Sequence, residues 1–241
     1  MSSPAITPAA PRSAGWPGQC AICRQWCHGV LCQACVAHFA APVPRCARCA
    51  LRLGLPSPAC GACLQEPPPF EHTVCVVDYG FPWDHLVNEF KYQSRPELAG
   101  ALAELLAAAV ARSAQDLPDV VLPMPLAPQR LAQRGYNQAW ELARHVAKAV
   151  QLPAWPHGLQ RPLDTAPQAG LGRAARQINL RTAFMVEPRH RHALAGRRVA
   201  LVDDVMTTGA TVREAAAALL RAGAAAVDVW VLARTPEAPA D

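Results

Sequence analysis

Eight cysteines of this 241-residue chain form four C-x-x-C pairs: Cys20/Cys23, Cys32/Cys35, Cys46/Cys49 and Cys60/Cys63. A C-x-x-C turn directs two thiolates at one point, so two such turns furnish the four sulfurs of a tetrahedral metal site. Pairing neighbours yields C-x2-C-x8-C-x2-C and C-x2-C-x10-C-x2-C, the spacing of a zinc knuckle or ribbon. An interleaved cross-brace, first pair with third and second with fourth, satisfies the same spacing. Sequential pairing closes shorter loops and is the expected arrangement. Zinc, as one or two structural ions, is the expected metal; four thiolates also hold iron or an iron–sulfur cluster, which would imply a redox role. Disulfides are disfavoured, because the opening MSSPAITPAAPRSAGWPGQ lacks the basic start and continuous apolar core of a secretory signal, and the cytosol is reducing.

Arg24, Arg45, Arg48 and Arg52 sit beside the pairs, where they either offset the charge of a Zn(Cys)4 centre or are ordinary solvated arginines. Cys75, inside TVCVVDY, reads as a small core residue; Cys27, followed by His28, is at most a substitute ligand. Long apolar stretches are scarce between residues 20 and 66, so bound metal is expected to supply much of the folding energy there, on the order of 10 kcal/mol or more in small modules. The expected division is a loose tail over 1–18, a cysteine-rich zinc-binding module over 19–66 and a second domain over 67–236. EPPPF, residues 66–70, reads as a stiff extended connector.

Hydrophobic residues make up 51% of the chain, enough for a sizeable core. The net charge of +5 suits a phosphate-bearing ligand or nucleic acid without establishing either. The longest apolar helix candidate, from Ala99 to Val110, carries Glu104 and is too short to cross a bilayer, so no membrane span and a cytoplasmic location are expected. From Thr73 onward strand-like and helix-like segments alternate, the pattern of an α/β layer with a largely parallel sheet. Strands are expected in TVCVVDY, DVVLPMPL and AVDVWVLAR, and helices in WDHLVNEFKY, Glu97 to Ser113 and NQAWELARHVAKAV. APQRLAQRGY reads as a loop, and the stretch from Gln160 to Asn179 as a lid or binding element.

VALVDDVMTTGAT, from Val199 to Thr211, carries the chemistry. Val199 to Val202 fit a central strand covered on both faces. Asp203 and Asp204 follow at its carboxyl end, where open α/β sheets bind ligands. In MTTGAT, Gly209 permits a positive φ, Thr207, Thr208 and Thr211 offer hydroxyls, and backbone N–H groups converge at the next helix start, a phosphate cradle. Vicinal carboxylates beside such a cradle suit a sugar phosphate, with the acids accepting hydrogen bonds from ring hydroxyls. The competing reading is a strand end and a capped helix with no ligand. Neither a GxxxxGK[ST] loop nor a GxGxxG turn occurs, and too little chain follows Asp204 for a receiver domain.

This stretch resembles the motif by which type I phosphoribosyltransferases bind 5-phosphoribosyl 1-pyrophosphate (PRPP), and the chain from Cys20 to Arg234 resembles the ComF/GntX family. The resemblance rests on motifs in a shared order: the C-x-x-C pairs ahead of PPPF, FKY at Phe90–Tyr92, PMPL at 123–126, RGYNQ at 134–138, a T-x-x-Q-x-x-L-x-x-x-x-R-x-x-N series, and VDDVMTTGAT. It implies an α/β, type I phosphoribosyltransferase-like fold with a mostly parallel sheet behind the N-terminal cysteine-rich zinc-binding module. It further implies that Asp203 and Asp204 bind the ribose hydroxyls of PRPP, and that Thr207, Thr208, Gly209, Ala210 and Thr211 hold its 5′-phosphate, with magnesium accompanying the ligand. Pro125, Leu126, Arg130 and Arg134 take the place of the pyrophosphate loop. Thr165, Gln168, Leu171, Arg176 and Asn179 match the mobile loop that closes over the reaction centre, where Arg176 would act with the two aspartates. The cysteine module would stand where relatives of this fold carry a hood over the acceptor.

Two functions follow from these observations. One is a phosphoribosyltransferase of undefined acceptor, although no general base announces itself. The other is a non-catalytic factor in natural transformation or the use of external DNA, with a vestigial or sensory PRPP pocket. In that case single-stranded DNA and other DNA-uptake proteins would be the partners, and Trp16, Trp26, Trp83 and Trp155 would be candidates for base stacking.

Overall fold

The computed structural model describes residues 17–55, 57–92, 95, 97–113, 116–162 and 183–237. Its centre is a four-stranded, wholly parallel sheet built from β3 (Thr73–Asp78), β4 (Val120–Pro123), β7 (Arg198–Met206) and β8 (Ala226–Arg234), in the order β3-β8-β7-β4. The last strand in sequence therefore lies inside the sheet. Both faces are covered, which is why VALV and, beyond Asp228, VWVLA read as continuous apolar runs rather than alternating ones. Ala200, Val202, Trp230 and Leu232 pack with α3 (Trp83–Tyr92), α4 (Leu98–Arg112) and α6 (Gln138–Ala149). Val199, Leu201, Val229 and Val231 face the other way, onto α8 (Ala210–Arg221).

The segment APQRLAQRGY differs from its reading as a loop, because it holds the short helix α5 (Pro128–Arg134). Proline at its first turn and Gly135 at its end, with φ +82°, delimit it. None of its residues is buried, so it carries no periodic apolar stripe to betray it. Strand β7 also runs through the acids to Met206 instead of stopping at them.

In the cysteine-rich part, β1 (Pro17–Gln19) pairs antiparallel with β2 (Trp26–His28), followed by the short helices α1 (Gln33–Phe39) and α2 (Gly61–Gln65). This module lies against the edge strand β3. Thr73 N–H donates to the Ala47 carbonyl at 2.8 Å and Thr73 Oγ1 to the Arg48 carbonyl at 2.5 Å. Arg45 and Arg52 both pair with Asp78, at 2.6 and 3.4 Å, and Arg48 donates to the Phe70 carbonyl at 3.3 Å. These arginines thus fasten the module to the sheet. The EPPPF segment is part of the same seam, since Phe70 is buried in the core. Beyond α6, β5 (Leu159–Gln160) and β6 (Met185–Val186) form a two-stranded antiparallel ribbon, followed by α7 (Pro188–Leu194). Among the described residues no helix is long and apolar enough to cross a membrane.

Candidate functional site

The eight cysteines converge as two separate tetrads, Cys20/Cys23/Cys32/Cys35 and Cys46/Cys49/Cys60/Cys63, the sulfurs of each lying within 4.8 Å of one another. Sequential pairing is therefore what the fold adopts. Four thiolates around zinc at about 2.3 Å stand about 3.8 Å apart. The Cys23–Cys32 and Cys49–Cys60 sulfurs are each 3.7 Å apart, far too distant for a disulfide and matched to a tetrahedral ion. Backbone N–H groups also point at the sulfurs: Cys32 and Cys60 donate to Cys20 and Cys46, each at 3.3 Å. Burial opposes ionisation of these two thiols, yet the N–H groups of Cys23, Cys32 and Ile22 bring Cys20 to about 6, and those of Cys49, Cys60 and Arg48 bring Cys46 to about 7. Burial and neighbouring thiols push Cys35 and Cys63 up. The donor set thus fits two structural zinc ions. Cys27 stands outside both tetrads, its thiol donating to the Gly29 carbonyl at 3.4 Å, and Cys75 sits on β3 against the core.

The second site is a cleft of about 190 Å³ at the carboxyl ends of β4 and β7. Asp203 and Asp204 line it together with Thr207, Gly209 and Thr211 of the turn into α8. Pro125, Leu126, Arg130 and Arg134, from the segment after β4, line it as well. Gly209 opens α8 at φ +80°, a conformation an L side chain rarely adopts, and Thr208 Oγ1 accepts from Ala210 N–H at 3.3 Å. Thr208 and Ala210 belong to the same turn and are exposed. The segment after β4 is held from behind. Asn137 caps α6 by accepting from Ala139 N–H at 2.9 Å while its amide donates to the Met124 carbonyl at 3.1 Å, and Arg134 donates to the buried Gln138 at 2.5 Å. Asn137 is thus the N-cap of α6 and also ties that helix to the segment after β4.

Thr165, Gln168, Leu171, Arg176 and Asn179 lie outside the described residues. No described cleft-lining residue comes from the cysteine module, which lies against the sheet edge at β3. Arg161, just after β5, lines the cleft from the ribbon.

Sequence reasoning gave no site role to several cleft-lining residues, Lys91 and Tyr92 among them. Lys91, at the end of α3, places its ammonium 2.8 Å from Asp204 Oδ2, with the lysine side chain 18% and the aspartate 4% exposed. Burial opposes the charge on Lys91, but Asp204 and Asp203 hold its pKa above the ordinary lysine value. Tyr92 lines the rim, and the Arg134 guanidinium lies over its ring at 4.9 Å. FKY marked both positions as part of a motif, but not their partners. Desolvation, then the adjacent Asp204, raises the Asp203 carboxyl well above the usual carboxylate range, against the pull of Lys91. Asp203 also accepts the N–H of Asp204 at 2.9 Å. The cleft therefore joins a tense acidic pair and an amide-rich turn on one wall to basic side chains on the other.

Comparison with known proteins agrees with this arrangement. A family model described as phosphoribosyl transferase domain matches residues 168–241. The chain is 36% identical over 226 residues to the DNA utilization protein YhgH of Escherichia coli (strain K12), covering 91% of this chain and 98% of that one. It is 33% identical over 223 residues to competence protein F of Haemophilus influenzae, covering 90% and 96%. Competence protein ComFC of Bacillus subtilis is 27% identical over 161 residues, covering 66% and 63%. With its cysteine tetrads beside a parallel sheet of the type I phosphoribosyltransferase kind, the chain belongs to the ComF family of competence and DNA-utilization proteins.

Proposed function

We propose that the cleft binds PRPP together with Mg²⁺, and that the protein is a phosphoribosyltransferase-like factor serving the use of external DNA. The observation that carries this reading is the sharing of one cleft by Asp203, Asp204, the turn from Thr207 to Thr211 and the Arg130/Arg134 wall. The two carboxylates accept the ribose hydroxyls. The turn donates N–H and hydroxyl groups to the 5′-phosphate. Arg130 and Arg134 neutralise the pyrophosphate by charge and bidentate donation, and Arg176, which the family resemblance adds, would join them. The oxygen-rich acidic pair suits magnesium, which would supply Lewis-acid charge to the leaving pyrophosphate. Catalysis of this kind is positioning and charge stabilisation, with the chain holding both ends of the ligand while a nitrogen acceptor attacks the anomeric carbon.

Titration calorimetry with PRPP and Mg²⁺ tests the reading. Binding is expected in the wild type and lost in Asp203→Asn/Asp204→Asn, with the fold retained by circular dichroism. Equal heats in both proteins refute it.

A second reading is favoured by one observation: no histidine lines the cleft among the described residues, and Lys91 is already committed to Asp204. With both carboxylates engaged by the ribose hydroxyls, the described lining offers no further base, which suits a sensor of PRPP as well as an enzyme. In that reading the protein binds single-stranded DNA. Of the tryptophans considered for stacking, Trp83 is buried and donates to the Phe39 carbonyl at 2.8 Å, and Trp155 is stacked on His190. Trp16 lies outside the described residues, and Trp26, 75% exposed, is the one left presenting its ring. Trp26→Ala is expected to weaken single-stranded DNA binding at low salt. No measurable association of the wild type at low salt would sink the reading.

A further inference from the structure

Arg234, the last residue of β8, is 8% exposed and, among the described residues, forms no ion pair with an acidic side chain. Its guanidinium is spent on backbone carbonyls belonging to two different sites. On one side Nε donates to the Cys49 carbonyl at 3.0 Å, inside the second cysteine tetrad. On the other, Nη1 donates to the carbonyl of Met206, at 3.2 Å, and to that of Thr207, at the start of the phosphate turn. A fourth acceptor, the Thr235 carbonyl at 2.7 Å, shares the two hydrogens of Nη1 and pins the guanidinium to its own strand end. A planar guanidinium with five fixed donors spans such a set of acceptors; a lysine ammonium on a flexible stem does not.

We propose that Arg234 is a positioning residue that couples occupancy of the second cysteine tetrad to the geometry of the phosphate turn. The coupling follows from peptide geometry. In a trans peptide the carbonyl of one residue and the N–H of the next point in opposite directions. By holding the carbonyls of Met206 and Thr207, Arg234 turns the N–H groups of Thr207 and Thr208 away from itself, which fixes how the first half of the turn presents its donors. The Cys49 carbonyl lies on a metal-ligating residue, so a metal ion at Cys46/Cys49/Cys60/Cys63 fixes the far end of the same bridge. The first tetrad has no such strut: among the described residues Arg234 reaches Cys49 and no member of Cys20/Cys23/Cys32/Cys35. Linkage then requires the turn's ligand to favour retention of that one ion by the same factor that the ion favours the ligand.

The proposal rests on the PRPP reading only for its ligand, and the test separates the two. Hydrogen exchange of residues 205–211 and zinc release to a chromogenic chelator are followed on zinc-loaded full-length protein. In Arg234→Gln, one of two zinc-release phases, the one absent from Cys60→Ser, accelerates about fivefold or more, and exchange of the turn rises by a similar factor while that of β4 does not. Cys60→Ser, with Arg234 intact, raises exchange of the turn more than Cys23→Ser does, and Arg234→Lys falls between Arg234→Gln and the wild type. Wild-type exchange of the turn in Arg234→Gln, or equal effects of Cys60→Ser and Cys23→Ser, overturns the coupling. If Arg234→Gln does not fold, the two cysteine variants decide alone. A PRPP titration on the same samples reads the pocket: absence of heat in the wild type defeats the PRPP reading and leaves the exchange result standing.

Discussion

Lys91 Nζ and Asp204 Oδ2 meet 2.8 Å apart, tying the end of α3 to the acidic pair at the floor of the cleft. Removing one member of a buried pair strands the other charge, typically at a cost of about 3–5 kcal/mol. Lys91→Met is expected to destabilise the protein by about 3 kcal/mol at pH 7. The loss should shrink in acid as the stranded carboxylates take up protons, and Lys91→Met/Asp204→Asn should recover part of it. Urea denaturation of the four proteins of the cycle checks this; strictly additive losses would show the pair to be inert.

Asp203 has its pKa shifted upward by burial, then by the adjacent Asp204, opposite to the downward shift of an ion-paired surface acid. Its folded pKa is raised, so the folded state binds the proton more tightly than the unfolded chain does. Stability contributed by protonated Asp203 is full below the ordinary carboxylate range and is lost as pH rises through the folded value. Asp203→Asn should therefore increase the denaturation midpoint at neutral pH, with the gain fading in acid, and abolish PRPP binding at the same time. PRPP affinity of the wild type should fall on acidification at a higher pH than an ordinary aspartate would dictate, because a protonated carboxyl no longer accepts two ring hydroxyls. A midpoint difference independent of pH would count against this account.

Each tetrad should hold its own ion. Metal analysis of the wild type is expected to return two zinc ions per chain, and one for Cys35→Ser or Cys63→Ser. A colourless protein is expected, since zinc has a filled d shell. A chain with a single shared ion, or a coloured preparation containing iron, would contradict the geometry of two separate sulfur clusters.

Trp83 ties the first tetrad's side of the module to the helical layer through its indole N–H and the Phe39 carbonyl. Trp83→Phe keeps much of the apolar contact and removes the donor, leaving a carbonyl unpaired. A loss of about 1–3 kcal/mol is expected, read by chemical denaturation. A variant as stable as the wild type would mean that water replaces the indole.

The sequence made the site legible where chemistry is local. VDDVMTTGAT places strand end, acids and turn within a dozen residues, and the C-x-x-C pairs close short loops, so spacing sufficed for both. What escaped was carried by partners distant along the chain. Nothing near Lys91 announces Asp204, and nothing in AVDVWVLAR announces that its terminal arginine reaches Cys49 and Thr207. Helix α5 escaped for another reason: with no residue buried it has no apolar period, and only Pro128 and Gly135 delimit it. The arginines beside the cysteines read either as counter-charges for metal or as ordinary solvated side chains, yet Arg45 and Arg52 are fixed by Asp78, a residue outside the module.

The placement of β8 between β3 and β7 has a bearing on biosynthesis. A ribosome delivers β3, β4 and β7 well before the strand that must slide between the first and the third of them. Until residue 234 has emerged, the nascent chain carries unpaired strand edges, a standing invitation to aggregate. The zinc-binding segment, translated earlier, covers the outer edge of β3 at Thr73, so of the two edges of that strand only the inner one waits for β8; loss of zinc should uncover the outer edge as well and shift the protein toward insoluble material.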